Sequence, residues 1–138
     1  MKKVAIFIFA SILLSASCSK KKVEEVKADL LIQILTDGQW SVTLLTANTT
    51  DYTPAFAGHR FKFYENRTVD ATNNGILEKT GTWDASSTSM TTSSNFVGAT
   101  HPLILLNGTW NITQSSSRIV KATQTNGTEV KTVNLYRE

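Results

Sequence analysis

The stretch of sequence that decides the fold is 68–84, TVDATNNGILEKTGTWD. At its centre, Asn74-Gly75 is a dipeptide typical of a two-residue β-turn, in which both central residues need a positive φ. The flanking segments contain Thr, Val and Ile, which are side chains that strands favour. We therefore predict a β-hairpin whose strands are Thr68–Asn73 and Ile76–Asp84.

Comparable segments recur along 38–138, separated by clusters of Gly, Asn, Ser and Pro. Alternation of apolar and polar residues marks Gln39–Leu45 and His59–Tyr64 as half-buried strands. The side chains predicted to face inward in these two strands are Trp40, Val42, Leu44, Phe61 and Phe63. Weaker or shorter candidates are Ser89–Ser93, Leu103–Leu106, Trp110–Gln114, Arg118–Gln124 and Glu129–Tyr136. Turns about every 8–12 residues predict an antiparallel meander, which forms either a barrel or a sandwich.

Composition supports an all-β chain of one domain. The 138 residues include 20 Thr, 13 Ser and 9 Asn, with two prolines and only 18% charged side chains. Five of the 14 basic residues are lysines within the first 22 positions, so 23–138 carries nine basic and eleven acidic residues. Nucleic-acid binding needs clustered Lys and Arg to release counterions. We therefore expect no nucleic-acid partner.

The N-terminus has the pattern of an export signal. Met1-Lys2-Lys3 is positively charged, Val4–Leu14 is apolar, and small residues precede the single cysteine, Cys18. An apolar run of eleven residues is shorter than the roughly 20 that a transmembrane helix needs, and it matches a signal-peptide core. A lone cysteine at this place resembles the lipobox of bacterial lipoproteins. The resemblance implies a signal peptide over 1–17 and a lipidated Cys18; the alternative is ordinary cleavage near Ser17, which leaves a free thiol.

Residues 18–22 are then the lipidated cysteine and a basic linker. The residue after the cysteine is Ser19, which is not acidic, and Lys20-Lys21-Lys22 come next. By resemblance to lipoprotein sorting in Gram-negative bacteria, this implies the outer membrane, with the periplasmic leaflet favoured over the cell surface. The membrane is the expected partner of this segment.

Residues 23–37 carry the helical periodicity of the mature chain. The apolar stripe is Val23, Val26, Leu30 and Ile34, with Leu31 and Leu35 beside it. Asp37-Gly38 supplies the stop signal. A helix this short is marginal alone, so we expect it to pack as a plug or lid on the β domain; the alternative is a helix that binds a partner.

A Gly-x-Trp triplet occurs three times, at 38–40, 81–83 and 108–110. Glycine lets a strand bend where it starts, and tryptophan buries a large area just inside it. The first copy follows the short helix, and there it resembles the Gly-x-Trp signature of the lipocalins. The resemblance implies that 38–138 is a small lipocalin-like β-barrel of about eight strands, with Arg137 packed over Trp40.

Catalytic and metal-binding patterns are not evident in the sequence. His59 and His101 lie in no recognisable motif, and Cys18 has no partner for a zinc site. Asp70–Gly75 resembles the start of a calcium loop, but the twelfth position is Gly81 where a bidentate Glu is needed. We therefore predict no catalytic residue, no metal, no cofactor and no enzymatic activity.

Two functions remain open. In the first, the barrel binds a small apolar or amphipathic molecule, and the side chains expected to contact it are Trp40, Phe61, Phe63, Trp83 and Trp110. In the second, the same aromatic side chains fill the core, and the protein is an interaction module that presents loops 46–55 and 85–102 to a protein or glycan. A cavity above about 300 Å³ favours the first function, and a solid interior favours the second.

Overall fold

A computed structural model describes residues 30–86 and 88–138. Residues 30–36 are helical, and nine strands follow. The strands are β1 Trp40–Ala47, β2 Thr50–Asp51, β3 His59–Phe63, β4 Thr68–Asn73, β5 Ile76–Ser86, β6 Thr91–Asn95, β7 Gly108–Ser115, β8 Ile119–Asn126 and β9 Glu129–Arg137. The predictions for 1–29, which include the signal peptide, Cys18, the basic linker and the start of the helix, lie outside the described residues.

The sheet closes into an antiparallel barrel. From β3 to β9, each strand pairs with the next, and β9 returns to β1 through seven register pairs that run from Trp40–Arg137 to Ala47–Lys131. A single pair, Trp40–Phe61, joins β1 to β3. The two-residue β2 pairs with β1 alone and is an extra strand outside the eight of the barrel. The prediction of an all-β barrel of about eight strands after one short helix is confirmed.

The barrel has two distinct ends. At the helix end lie residues 30–36, the start of β1 and the last residue of β9. Since the strands alternate in direction, the opposite end holds the β1–β3, β4–β5, β6–β7 and β8–β9 connections, and we call it the hairpin end. The chain therefore enters the barrel at the end opposite these four connections.

The central hairpin is confirmed. Asn74 and Gly75 have φ angles of 50° and 80°, as the two-residue turn requires. Strand β4 has the predicted bounds, and β5 runs two residues longer than predicted. A side chain at Gly81 would meet the carbonyl oxygen of Asn95 at 2.6 Å, so glycine lets β5 and the end of β6 approach closely.

Three local predictions were wrong. Leu103–Leu106 forms a 3-10 helix, because the chain crosses the barrel end there and does not join the sheet. In β1 the register shifts between Val42 and Leu44, so Leu45 is fully buried and Leu44 only half-buried. In the helix, Leu31 and Leu35 are buried while Leu30 is exposed. Leu35 belongs to the core cluster of the barrel, and Trp40 and Lys62 donate to the carbonyls at the end of the helix.

Candidate functional site

The barrel encloses a small apolar cavity of about 60 Å³. Its walls come from β3 and β6–β9, with Leu35 of the helix and two residues near the hairpin end. The lining residues are Leu35, Phe61, Phe63, Thr92, Ser93, Ser94, Phe96, Leu106, Trp110, Val120, Ala122, Val133 and Leu135.

The cavity exists because β6 brings no large side chain to the interior. Its residues 92 and 94 pair with Trp110 of β7 and Trp83 of β5, both of which point inward. The hydroxyl of Thr92 donates to the carbonyl of Asp84, and that of Ser94 donates to Leu106. The hydroxyl groups of these short side chains therefore form hydrogen bonds with the backbone, and the space beside them remains apolar.

The five side chains predicted to contact a ligand all pack in the barrel interior. Phe61, Phe63 and Trp110 line the cavity, whereas Trp40 and Trp83 lie away from it. All three indole N–H groups donate to backbone carbonyls: Trp40 to Leu35, Trp83 to Tyr64 and Trp110 to Leu106, at 2.9–3.0 Å. Each indole N–H therefore has a hydrogen-bond acceptor within the core.

At about 60 Å³, the cavity is well below the 300–1,000 Å³ of small-molecule sites. It has room for a few water-sized groups. Four aromatic side chains that bound it or pack beside it, Phe56, Phe61, Phe96 and Trp110, are each at most 3% exposed. The interior is thus close to filled by the chain itself.

A long connection covers the hairpin end of the barrel. We call residues 96–107, which join β6 to β7, the cap. Phe96 and Leu103 of the cap point into the core and are almost fully buried. The ring of His101 packs edge-on against Tyr52 of the β1–β3 connection, with centroids 5.3 Å apart. The 3-10 helix of that connection adds the buried ring of Phe56, so two connections close this end together.

Side chains from five consecutive strands donate hydrogen bonds to the cap backbone. The donors, in order from β5 to β9, are Lys79 to Val97, Ser94 and Trp110 to Leu106, Gln124 to Asn107, and Lys131 to Leu105, at 2.6–3.1 Å. The amide of Asn107 closes the cap on itself by bonding both the N–H and the carbonyl of Phe96. The cap is therefore held rigidly.

Lys131 is an inward-facing residue that sequence analysis missed. It shares its side of β9 with Val133, which is buried, and is itself 7% exposed. Its ammonium lies 5.4 Å from the centre of the Trp110 ring and donates to the carbonyl of Leu105. Burial lowers the pKa of Lys131, and Glu129 opposes this. Lys131, Val133 and Leu135 occupy alternate positions in the sequence of β9, and this alternation could have indicated that Lys131 faces inward.

His59 is the other polar side chain that is buried among residues 30–86 and 88–138, and sequence analysis placed it in no site. Its Nε2 lies 2.7 Å from a carboxylate oxygen of Glu78, and its Nδ1 has no hydrogen-bond partner among the described residues. A register shift in β5 beside Glu78 brings that carboxylate to the ring. Within residues 30–86 and 88–138, no group of three or more His, Cys, Asp or Glu could hold a metal ion.

Arg137 lies at the helix end, opposite Trp40 in the sheet register. Its guanidinium pairs with Asp37, and its methylenes lie against Gly38. The cations that stack on tryptophan rings in the described part of the chain are instead Arg67 on Trp83 and Lys131 on Trp110.

Exposed large apolar side chains lie at both ends of the barrel in the described part of the chain, and those at the helix end are Leu30, Tyr64, Met90 and Tyr136. Six large apolar side chains in the described ranges are at least 46% exposed, and one of these is Leu30, where the description begins. The other five lie on the β4–β5 hairpin, the cap and the start of β9. They are Ile76, Leu77, Val97, Ile104 and Val130. They do not form one face, since Leu77 and Val130 lie on strands at opposite sides of the barrel.

No protein-family model matches this chain, and no curated protein matches it. The fold is similar to the crystal structure of a DUF4847 family protein from Bacteroides vulgatus ATCC 8482, with a TM-score of 0.57. The match covers 78% of this chain and 97% of that one at 13% sequence identity, and it therefore supports the barrel fold alone. Among the described residues, no helix is long and apolar enough to cross a membrane.

Proposed function

We propose that this protein is a non-enzymatic lipoprotein of the bacterial cell envelope, anchored in the outer membrane by a lipidated Cys18, whose filled barrel is an interaction module for another envelope protein. The observation that supports an interaction module is that the barrel interior is nearly filled. Aromatic side chains and the cap occupy it and leave only about 60 Å³. A rigid, filled barrel offers its outer surface to a partner.

The anchor is supported by the sequence Val4–Leu14, the small residues after it and the lone Cys18. A lipocalin-like relationship is supported by the short helix, by Gly38-Gln39-Trp40 at the start of β1 and by the closed eight-strand meander. In such a protein the anchored segment joins the barrel at the helix end, where residues 30–36 lie.

Fractionation of cells that produce the full chain or its Cys18→Ser variant tests the anchor. We expect the unaltered chain in the outer-membrane fraction, with acyl chains on the peptide that begins at Cys18. We expect Cys18→Ser to leave the detergent phase on partitioning, because the lipid supplies the membrane affinity. A Cys18→Ser chain that stays membrane-bound would disprove the anchor.

Native mass spectrometry of the purified full chain tests the filled interior. We expect the mass of the chain and its anchor lipid only, unchanged after incubation with a lipid extract of the envelope. A stoichiometric apolar compound in an organic extract of the Cys18→Ser chain would contradict the filled-barrel proposal, since that chain carries no lipid of its own.

A second candidate function is the binding of a small apolar molecule. One observation favours it: the cavity wall is almost wholly apolar, and Phe63 and Leu135 on that wall are only half-buried. Dry apolar cavities can admit small hydrophobic guests. The same mass spectra decide between the two functions.

A further inference from the structure

Three Asn-Gly dipeptides occur in the chain, at 74–75, 107–108 and 126–127. The backbone nitrogen that follows an asparagine can attack the carbon of the side-chain amide, which is one reason why asparagine is a thermolabile residue. Glycine carries no side chain beside that nitrogen and leaves the backbone free to rotate, so Asn-Gly favours the attack. The structure restrains the three asparagines to different degrees.

Asn107 is restrained by the cap. Its Oδ1 accepts from the N–H of Phe96 at 2.7 Å, and its Nδ2 donates to the carbonyl of Phe96 at 3.2 Å. Gly108 begins β7, where it pairs with Ser94 of β6. The Asn107 amide would have to break both of its hydrogen bonds to approach the Gly108 nitrogen, so this dipeptide is protected.

Asn74 is restrained by the two-residue turn between β4 and β5. Its φ is 50°, and its backbone N–H donates to the carbonyl of Gly58 at 2.9 Å. A Cβ at Gly58 would meet the Oδ1 of Asn74 at 2.6 Å, so the side-chain amide packs on that glycine. To reach the nitrogen of Gly75, the amide has to leave this contact and the turn has to rotate, which the paired strands oppose.

Asn126 has neither restraint. It is the exposed last residue of β8, and Gly127 after it has a φ of 63°. No hydrogen bond among the described residues involves the Asn126 side chain. Apart from its chain neighbours, no atom lies within 4 Å of the place where a Cβ of Gly127 would stand. The amide can therefore rotate toward the Gly127 nitrogen without breaking a hydrogen bond.

We propose that Asn126 is a site of spontaneous deamidation, with water as the co-reactant. The nitrogen of Gly127 forms a bond to the Cγ of Asn126, the Cγ–Nδ2 bond breaks, and ammonia leaves with the proton of that nitrogen. Water then opens the cyclic imide at either carbonyl, which leaves aspartate or isoaspartate at position 126. The inference goes beyond the proposed function and depends on neither the anchor nor the partner.

The reaction changes the hairpin that joins β8 to β9. Asn126 is paired with Glu129 across the turn, so the new carboxylate faces a like charge, which destabilises paired strands. Isoaspartate also adds a methylene to the backbone beside a turn whose length sets the register. We therefore expect the modified chain to unfold at a lower temperature than the unmodified chain.

Timed incubation of the purified full chain at mildly alkaline pH, followed by peptide mass spectrometry, tests the site. We expect the amide of Asn126 to be lost several-fold faster than those of Asn74 and Asn107, with isoaspartate among the products. The same chain unfolded in urea is the matched control. There the three Asn-Gly dipeptides are expected to react at similar rates, because no fold restrains them.

A variant separates this site from other changes during incubation. Asn126→Gln keeps an amide but lengthens the side chain, which disfavours ring closure. We expect this variant to keep its mass and its midpoint of thermal unfolding over an incubation that lowers the midpoint of the unaltered chain.

Three results would overturn the proposal. One is a reaction in the folded chain that is equally fast at all three asparagines, or faster at Asn74 or Asn107. Another is an Asn126 that stays intact in the folded chain while it reacts in urea, since the hairpin would then protect it. The third is an equal fall of the unfolding midpoint in Asn126→Gln, which would remove the stated effect on the hairpin.

Discussion

Each of the three tryptophans has the same arrangement, in which the ring is buried and the indole N–H donates to a backbone carbonyl. For Trp40 the acceptor is Leu35, the last buried residue of the helix. This one side chain therefore fills the barrel at the start of β1 and fixes the helix on it. The carbonyls of Thr36 and Gly38 are bound by Lys62, which completes the attachment.

We expect Trp40→Ala to lower the free energy of unfolding by about 3–5 kcal/mol, because a fully buried aromatic ring is lost. Trp40→Phe keeps an aromatic ring and removes the bond to Leu35, which adds about 1 kcal/mol of loss to the change in packing. Urea unfolding measures both. The control is Tyr64→Ala, since that ring is 40% exposed and should cost less than about 1 kcal/mol. A similarly small loss for Trp40→Ala would place Trp40 outside the core.

Lys131 makes stability depend on pH in the alkaline range. Because burial lowers its pKa from the ordinary 10.5, the unfolded chain binds more protons than the folded chain between the two values. Stability then rises with pH. We expect the free energy of unfolding of the unaltered chain, measured relative to Lys131→Met, to increase as the pH approaches 10.5. A difference that stays level or falls over this range would show that the ammonium is not desolvated.

At the scale of the elements, β6 determines where the interior is empty. Its short side chains at Thr92 and Ser94 bond to the backbone, and the neighbouring strands do not supply enough volume to replace them. Irregularities in the strands also determine the direction in which particular side chains point. A register shift in β1 buries Leu45, and one in β5 brings Glu78 to His59.

Two buried alanines give a matched test of the cavity. Ala122 of β8 lines it, whereas Ala71 of β4 is fully buried and does not. We expect Ala122→Val to raise the free energy of unfolding by about 1 kcal/mol, because its methyl groups enter empty space. Ala71→Val should lower it by about 1–3 kcal/mol through overpacking. Equal losses in urea unfolding would mean that the cavity cannot accept added atoms.

At the scale of the whole molecule, the closure of the barrel is uneven. β1 meets β9 through seven register pairs and β3 through one. The gap beside β3 is covered by the β1–β3 connection, 48–58. There Leu45 donates to the hydroxyl of Thr53 and accepts from the N–H of Tyr52, and Phe56 fills the space beneath.

This unevenness predicts the pattern of local opening. We expect the backbone amides of 48–58 to exchange with solvent at least tenfold faster than those of β8 and β9, because few ladder hydrogen bonds hold that segment. Hydrogen–deuterium exchange with peptide-level mass spectrometry measures the rates. Comparable protection in 48–58 and β9 would mean that the barrel opens elsewhere.

The sequence by itself determined the all-β class, the central hairpin and most strand positions, because turn chemistry and side-chain alternation act over a few residues. Asn74-Gly75 set the turn, and Gly38-Gln39-Trp40 marked the start of β1. Local alternation did not predict which side chains are buried where the register shifts, as at Leu45. At Leu103–Leu106, an apolar run alone could not distinguish a strand from a 3-10 helix.

Only the tertiary structure decided the features on which function depends. Whether the aromatic side chains enclose a ligand or fill the core depends on how much volume strands distant in sequence contribute to a shared interior. Lys131 can lie inside because Leu105 and Trp110, more than 20 residues earlier, meet its ammonium. The cap is likewise tied across the barrel end by Lys79 and Lys131, from strands on opposite sides of the barrel, and this leaves Val97 and Ile104 exposed at the surface.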